Sequence, residues 1–491
     1  MSTRLKPTIK ATARRQAVFL VAPLLAAMML VGCAAPELKA PQIDIPTAYK
    51  EDGIKPETAD GANWKPAQPA EAQPRGEWWK AFNDATLSQL IDDATNANAN
   101  LAIAAARVKQ ARALAGITEA DRIPSVGVQA GPQRAKPSAV SLGLPQGTQV
   151  SPGTAWQAKL TASYEVDLFG RVANNISASR ADAEASEATY RSVLLALQAD
   201  VAQTYFRLRE TDAELALLNT TVRLREESVQ LNQRRFDLGD INEFDLVRAK
   251  TELATTRAEA IGLQRQRSQN EHALAVLLGK APAAFSVPIS PLVDASLLPT
   301  IPAGLPSALL ERRPDITAAQ RAMIAANARI GVAKSAVFPA LSLTGAGGFE
   351  SDGLSDLFKW TSRTWLVGAL LSMPVIDGGR NKANIARSEA ALEEAVASYR
   401  QSVLTAFADV EDNLAGLRIL AGQSQAMDSA VDSARRSAEL AEKLYRAGSA
   451  RYIDLLDAQR NLMTVERTAV QLRGNRATTV VALVRSLGGG W

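Results

Sequence analysis

Reactive side chains are scarce in this chain. Its 491 residues include one cysteine, Cys33, and one histidine, His272. One cysteine excludes a structural disulfide within the chain. A single histidine, set in a helical stretch with no second ligand type nearby, gives no basis for a metal site. Gly345-Ala346-Gly347-Gly348 has no following Lys-Ser/Thr, so it is not a phosphate loop. No Ser/His/Asp arrangement rises above chance, and nothing here points to an enzyme or a cofactor. Long apolar runs are missing too. The longest, from Ala17 to Gly32, is 16 residues, short of the ~20 that cross a bilayer as a helix. Between Val172 and Leu238 there is neither proline nor glycine, so the strongest helix breakers are missing there.

Basic charge is also scarcer than it first looks. Residues 1–32 carry Arg4, Lys6, Lys10, Arg14 and Arg15 and no acid. Removing these five from the 55 Lys+Arg leaves 50 against 51 Asp+Glu. The charge balance therefore gives no sign of a nucleic-acid partner. The basic stretch followed by an apolar one has the form of an export signal. It ends in Leu30-Val31-Gly32-Cys33, which looks like a bacterial lipobox. In that reading residues 1–32 are removed and Cys33 carries a covalent lipid. Ala34 fits sorting to the outer membrane, because the inner-membrane retention signal is an Asp at that place.

What the chain does have is a repeat. Gly170-Arg171 returns as Gly379-Arg380, Tyr190-Arg191 as Tyr399-Arg400, Asp200-Val201 as Asp409-Val410, and Asp245-Leu246 as Asp454-Leu455. Each pair is 209 residues apart (379 − 170 = 209). Ile123-Pro124 matches Phe338-Pro339 at 215. Two copies of one unit imply two quasi-equivalent halves. The expected order is a lipidated, proline-rich tether over 33–76, a first repeat over 77–279, a proline-rich linker over 280–306 and a second repeat over 307–491.

Within a repeat the pattern changes period. Residues 86–121 are helical in pattern. Residues 124–168 hold too many Pro and Gly for a helix. On either side of those breakers run Val126, Val128, Ala130 and Trp156, Ala158, Leu160, Ala162, Tyr164, Val166, apolar at every second position, as in strands with one apolar face. A helix from about Val172 to Leu238 carries apolar residues every seven positions (Leu194, Val201, Leu208, Leu215, Val222, Val229, Phe236), the mark of a coiled-coil seam. Gly239 ends it and a second helix runs to about Leu278. The second repeat follows suit: a helix near 314–336, strands near 341–349 and 365–375, a long helix over about 383–447 and a last helix to about Leu487.

Each chain thus supplies four strands of about ten residues, the length that spans a membrane when tilted. Four strands cannot close a barrel, since the smallest have about eight. An open sheet edge in lipid leaves backbone groups unsatisfied. Membrane strands here would require several copies to share one barrel; the strand count alone leaves a dimer or a trimer open. Trp156, Tyr164, Phe169, Phe349, Phe358, Trp360 and Trp365 gather around the strands, as aromatics do at membrane interfaces. A soluble sandwich is the competing reading. The long helices carry Arg207, Arg209, Glu210, Asp212, Arg223 and Arg225 and belong in water.

Taken together, the duplication, Tyr164-Glu165-Val166-Asp167-Leu168-Phe169-Gly170-Arg171 with its echo Pro374-Val375-Ile376-Asp377-Gly378-Gly379-Arg380, the stretch from Tyr445 to Ala458 and the ending Leu487-Gly488-Gly489-Gly490-Trp491 resemble the TolC-like outer-membrane efflux family, in its NodT-like lipoprotein branch. The resemblance covers nearly all of 77–491 and the Cys33 lipobox. It implies a mostly helical α+β membrane protein. It implies a homotrimer, with four strands per chain in a shared twelve-stranded outer-membrane β-barrel and a long periplasmic α-barrel. It implies docking on a periplasmic adaptor and an inner-membrane transporter, to export drugs, toxic compounds or metals. It also places a periplasmic gate where the helix pairs turn, at Tyr445, Asp454 and Asp457, with Arg451, Asp245 and Arg248 in support. Ala450 stands where the family's gating arginine is expected. Three copies of the acids would make a ring of like charge, and Arg248 could lock the helices together. A simpler role for Asp245 and Asp454 is to cap the helices that follow. The alternative to a duct is a lipid-anchored periplasmic coiled-coil adaptor, or a scaffold without a pore.

Overall fold

The structure is a computed structural model that describes residues 37–38, 45–51, 76–292, 298–299 and 312–489. Cys33 and residues 293–297 and 300–306 of the expected linker lie outside these residues. The elements in chain order are α1 (Ala85–Ala97), α2 (Ala99–Ala120), β1 (Ser125–Ala135), β2 (Gly153–Val166), α3 (Arg171–Asp237), α4 (Glu243–Leu277), α5 (Pro314–Ser335), β3 (Ala340–Ser351), β4 (Arg363–Ser372), α6 (Arg380–Arg446) and α7 (Tyr452–Ser486). Helices α3 and α6 have 67 residues each, α4 and α7 have 35 each. The boundaries of these four repeat at 209 (380 − 171 and 486 − 277). A 67-residue helix is about 100 Å long.

The chain forms two compact units, and each draws on both repeats. The first, built from residues 109–184 and 320–398, holds the strands. They form one antiparallel sheet in the order β1-β2-β3-β4. The register sets Val128 beside Leu160, Leu160 beside Gly347, and Gly347 beside Trp365. Following these rows puts Val126, Val128, Ala130, Trp156, Leu160, Tyr164, Leu341, Leu343, Phe349, Trp365, Val367 and Leu371 on one face. The other face carries Gln129, Gln133, Gln157, Lys159, Thr161, Ser163, Ser342, Thr344 and Glu350, with Lys159 paired to Glu350 at 2.5 Å. Leu366 and Leu370 are the large apolar residues on that polar face. The apolar face is bare: Val128 is 76% exposed, Trp365 80% and Val367 75%. Such a face in a folded protein needs a covering. Its aromatics sit toward the strand ends, Trp156, Phe349 and Trp365 at the loop end and Tyr164 at the helix end, where Phe169 and Phe338 stack at 4.8 Å.

The second unit, residues 42–108, 185–319 and 399–491, is helical. The seven-residue seam of α3 is buried at Val201, Leu208 and Leu215 and is lost at Phe236, which is exposed. In α6 it holds at Val403, Val410, Ala438 and Tyr445. Each fully buried Leu or Val contributes roughly 1.5–3 kcal/mol.

Two details depart from the sequence expectation. The helix expected over 86–121 is two helices. Asn98 is extended (φ −69, ψ 125); its side chain accepts from Leu101 N at 3.0 Å and donates to Leu277 O at 2.8 Å. The break is a side-chain cap in a stretch without Gly or Pro, so no breaker signalled it. Moreover, part of the stretch read as a free tether is seated. Tyr49 is buried among Ile316, Val403, Val410 and Leu483. The Glu411 carboxylate accepts the backbone N–H groups of Lys50 (2.7 Å) and Glu51 (3.0 Å), and Arg418 holds the Glu51 side chain at 2.6 Å.

Tyr49→Ala should release this segment, since deleting a buried aromatic costs about 3–5 kcal/mol. Limited trypsinolysis should then cut after Lys50 at least tenfold faster than in the wild type; an unchanged rate would show that the ring does not hold the segment.

Candidate functional site at the helix turns

The helix pairs α3–α4 and α6–α7 close on turns of the same form. Gly239 and Gly448 have φ of 78° and 75°, the left-handed region that glycine enters without a Cβ penalty. In each, the next residue donates back into the helix: Asp240 N to Arg235 O at 2.8 Å, Ser449 N to Leu444 O at 2.9 Å. These bonds satisfy carbonyls that a helix end leaves free.

Around the second turn, Tyr445, Tyr452, Leu455 and Leu456 pack with Ala249 of α4. The Tyr445 and Tyr452 rings lie 5.7 Å apart. The Tyr445 hydroxyl donates to the Asn232 side-chain oxygen of α3, and the Arg235 guanidinium lies 4.9 Å from the Tyr445 ring centre. Burial pushes the Tyr452 hydroxyl up to about 12. Tyr445 therefore bonds α6 to α3 across the buried side of the turn.

The acids expected at the gate have separate surroundings. Asp454 is in the first turn of α7. Its carboxylate accepts the Arg451 backbone N–H at 3.1 Å and pairs with the Arg451 guanidinium at 3.2 Å. That pairing holds Asp454 below the usual carboxylate range and Arg451 above its own. Asp454 is thus a cap. Asp457 is exposed and lies 3.8 Å from Arg460. Asp245 sits in the first turn of α4, where Asn242 provides the cap, accepting from Asp245 N at 3.1 Å. The Arg248 guanidinium lies over the Phe244 ring at 4.6 Å. Within one chain Arg248 lies on an aromatic neighbour and Asp454 pairs with Arg451.

The tie between helices is a group that sequence reasoning missed. Glu252 of α4 accepts from Arg225 of α3 and from Arg460 of α7. Arg225 is 4% exposed. Burial opposes a charge on Glu252, but the two guanidiniums outweigh it and hold the carboxyl below the ordinary glutamate range. A signal for this was present. Three residues past each apolar grid position of α3 lie Leu197, Thr204, Thr211, Leu218, Arg225 and Asn232. Arg225 and Asn232 are buried, so the polar residues at this second seam position mark where α3 bonds its neighbours.

Among the described residues no group of His, Cys, Asp and Glu is arranged to hold a metal ion, and no helix is long and apolar enough to cross a membrane. The structure is a duplicated one, with one sheet whose apolar face is bare and long helices that carry many charges. The family model for "outer membrane efflux protein" matches residues 90–280 and 305–489, and the chain belongs to that family. It is 36% identical to outer membrane protein OprJ of Pseudomonas aeruginosa over 97% of each chain. It is 31% identical to cation efflux system protein CusC of Escherichia coli over 96% of this chain and 98% of that one. Among solved structures, the outer-membrane channel OprN superimposes with a TM-score of 0.83 at 31% identity, covering 94% of this chain and 99% of that one. This is an outer-membrane protein that works in efflux.

Glu252→Ala should leave Arg225 buried without its carboxylate, a cost of about 3–5 kcal/mol. The contribution of Glu252 is present above the unfolded glutamate range and is lost as pH falls through its depressed folded value. The wild type should therefore lose stability in acid over that interval, and the variant should not show this component. Thermal melts across the acid range read both; identical pH profiles would remove Glu252 from the tie.

Proposed function

We propose that the chain is the exit duct of a three-part efflux system. Three copies close a twelve-stranded barrel in the outer membrane, each giving β1 to β4, with the helical unit in the periplasm. A periplasmic adaptor and an inner-membrane transporter deliver small molecules, which pass without any catalytic step. The lipid on Cys33, after removal of residues 1–32, adds an anchor ahead of the 33–76 tether. The helix turns, with Tyr445, Arg451, Asp454, Asp457, Asp245 and Arg248, form the periplasmic gate.

One observation carries this reading. The sheet has an apolar face, a polar face and edges at β1 and β4. Lipid suits the first, water in a pore the second, and the edges of further copies the third. An adaptor or a scaffold gives no account of a bare, aromatic-bordered apolar face. The relatives support small-molecule cargo without choosing it. ArpC of Pseudomonas putida is an antibiotic efflux pump outer membrane protein, TtgC of the same species serves toluene efflux, and CusC belongs to a cation efflux system.

Purified protein should run as a trimer and conduct in planar bilayers. Asp454→Asn with Asp457→Asn should raise leak conductance severalfold by freeing the Arg451 cap and removing the ring of charge. A trimer that leaks no more after both changes would move the gate elsewhere, and a monomer that never conducts would end the duct reading.

A further inference from the structure

The duct leaves one half-buried acid without a role. Glu210, on α3, has no hydrogen bond or ion pair among the described residues. Its carboxyl lies against Gly474, the lone glycine of α7. A Cβ at that position would overlap the Glu210 carboxyl carbon and oxygen, so the acid fills the space that a side chain at 474 would take. One turn along α3 is Glu214, 5% exposed.

Two arginines of α7 bond other acids. Arg467 of α7 bonds Glu214 at 3.1 Å and lies 3.7 Å from Glu259 of α4. Arg473 of α7 pairs with Asp428 of α6 at 3.7 Å. Arg207, one turn back on α3, is the cation that favours an ionised Glu210, and it is exposed. A carboxylate desolvated by a neighbouring helix and set beside a like charge resists ionisation. Burial first, then Glu214, push Glu210 up to about 7.

We propose that Glu210, seated on Gly474 beside Glu214, makes the contact between α3 and α7 proton-dependent, closed when Glu210 is neutral and loosened when it ionises. A neutral carboxyl can rest against the Gly474 backbone. An ionised one is drawn to water and repelled by Glu214, and it must lift away from the glycine to be solvated. Helix α7 also carries Tyr452, Asp454 and Asp457 at its start, so the contact acts on the helix that bears the expected gate. The sign follows from linkage. A glutamate raised in the folded state contributes stability that is complete below its unfolded value near 4.5 and is lost as pH rises through about 7. The contact should be tightest in mild acid and weakest above neutrality.

Amide hydrogen exchange on the full detergent-solubilised protein tests this, read on peptides of α7 spanning 467–481 and corrected for the chemical rate. In the wild type, protection should fall roughly tenfold from about pH 6 to about pH 8, since the neutral fraction of a carboxyl titrating at about 7 falls from about nine-tenths to about one-tenth over that interval. Glu210→Gln should hold the acid level of protection throughout. Glu214→Gln should move the midpoint to lower pH. Isotope-edited infrared titration of the wild type gives a second reading that needs no variant, a glutamic acid band persisting to near neutral pH. Protection that does not change with pH, or the same change in Glu210→Gln, would overturn the proposal. These readouts report a helix contact and not transport, so the duct reading can fail or stand independently.

Discussion

A peptide group in hydrocarbon has no water to bond. A sheet entering a membrane must therefore either find more strands or stay out. The rest of this protein is arranged around that constraint. The four strands are long enough to span, their alternation gives one apolar and one polar face, and their ends carry the aromatics that suit interfaces. Nothing among the described residues supplies the missing neighbours, since all four strands are already in one sheet.

The helical unit meets the opposite problem. Its helices are too long and too charged to be held by an oily core alone. Apolar residues recur every seven positions, and between them polar residues are buried: Thr211, Asp212, Arg225 and Asn232. Each bonds a group outside α3: Thr211 accepts from Asn270, Asp212 from Arg267 at 2.7 Å and from the backbone of Ser290 at 3.0 Å, Arg225 donates to Glu252, and Asn232 accepts from Tyr445. Buried ion pairs add little net stability, but breaking one is costly. They therefore hold each helix in one rotational setting.

Much of this was legible in the sequence. The duplication follows from an offset that can be read by matching the chain to itself, and the four strands and the two long helices from periods of two and seven, set by residues close in the chain. Helix ends at Gly239 and Gly448 followed from the one residue type that tolerates their backbone. The break at Asn98 did not, because a side-chain cap there leaves no Gly or Pro as a sign. The seating of Tyr49 did not either, because its pocket is assembled from α5, α6 and α7, hundreds of residues away. At the turns, the sequence named Asp454 together with its partner Arg451, but not Asn232, the partner of Tyr445. Arg451 beside Asp454 and Phe244 beside Arg248 are near in the chain, whereas Asn232 lies 213 residues from Tyr445.

The two copies also differ in where they allow a change of length. The starts of α2 and α5, and of β1 and β3, are 215 residues apart, while the boundaries of α3, α4, α6 and α7 repeat at 209. The six-residue difference is taken up within the strand region, before the rods begin. A rod is unforgiving of such edits. One added residue would turn everything beyond it by about 100° and advance it by about 1.5 Å, rotating Arg225 away from Glu252 and the apolar seam out toward water. A loop merely grows longer. Deletion or insertion scanning of this chain should therefore find its freedom at the loop end of the sheet, and almost none along the shafts.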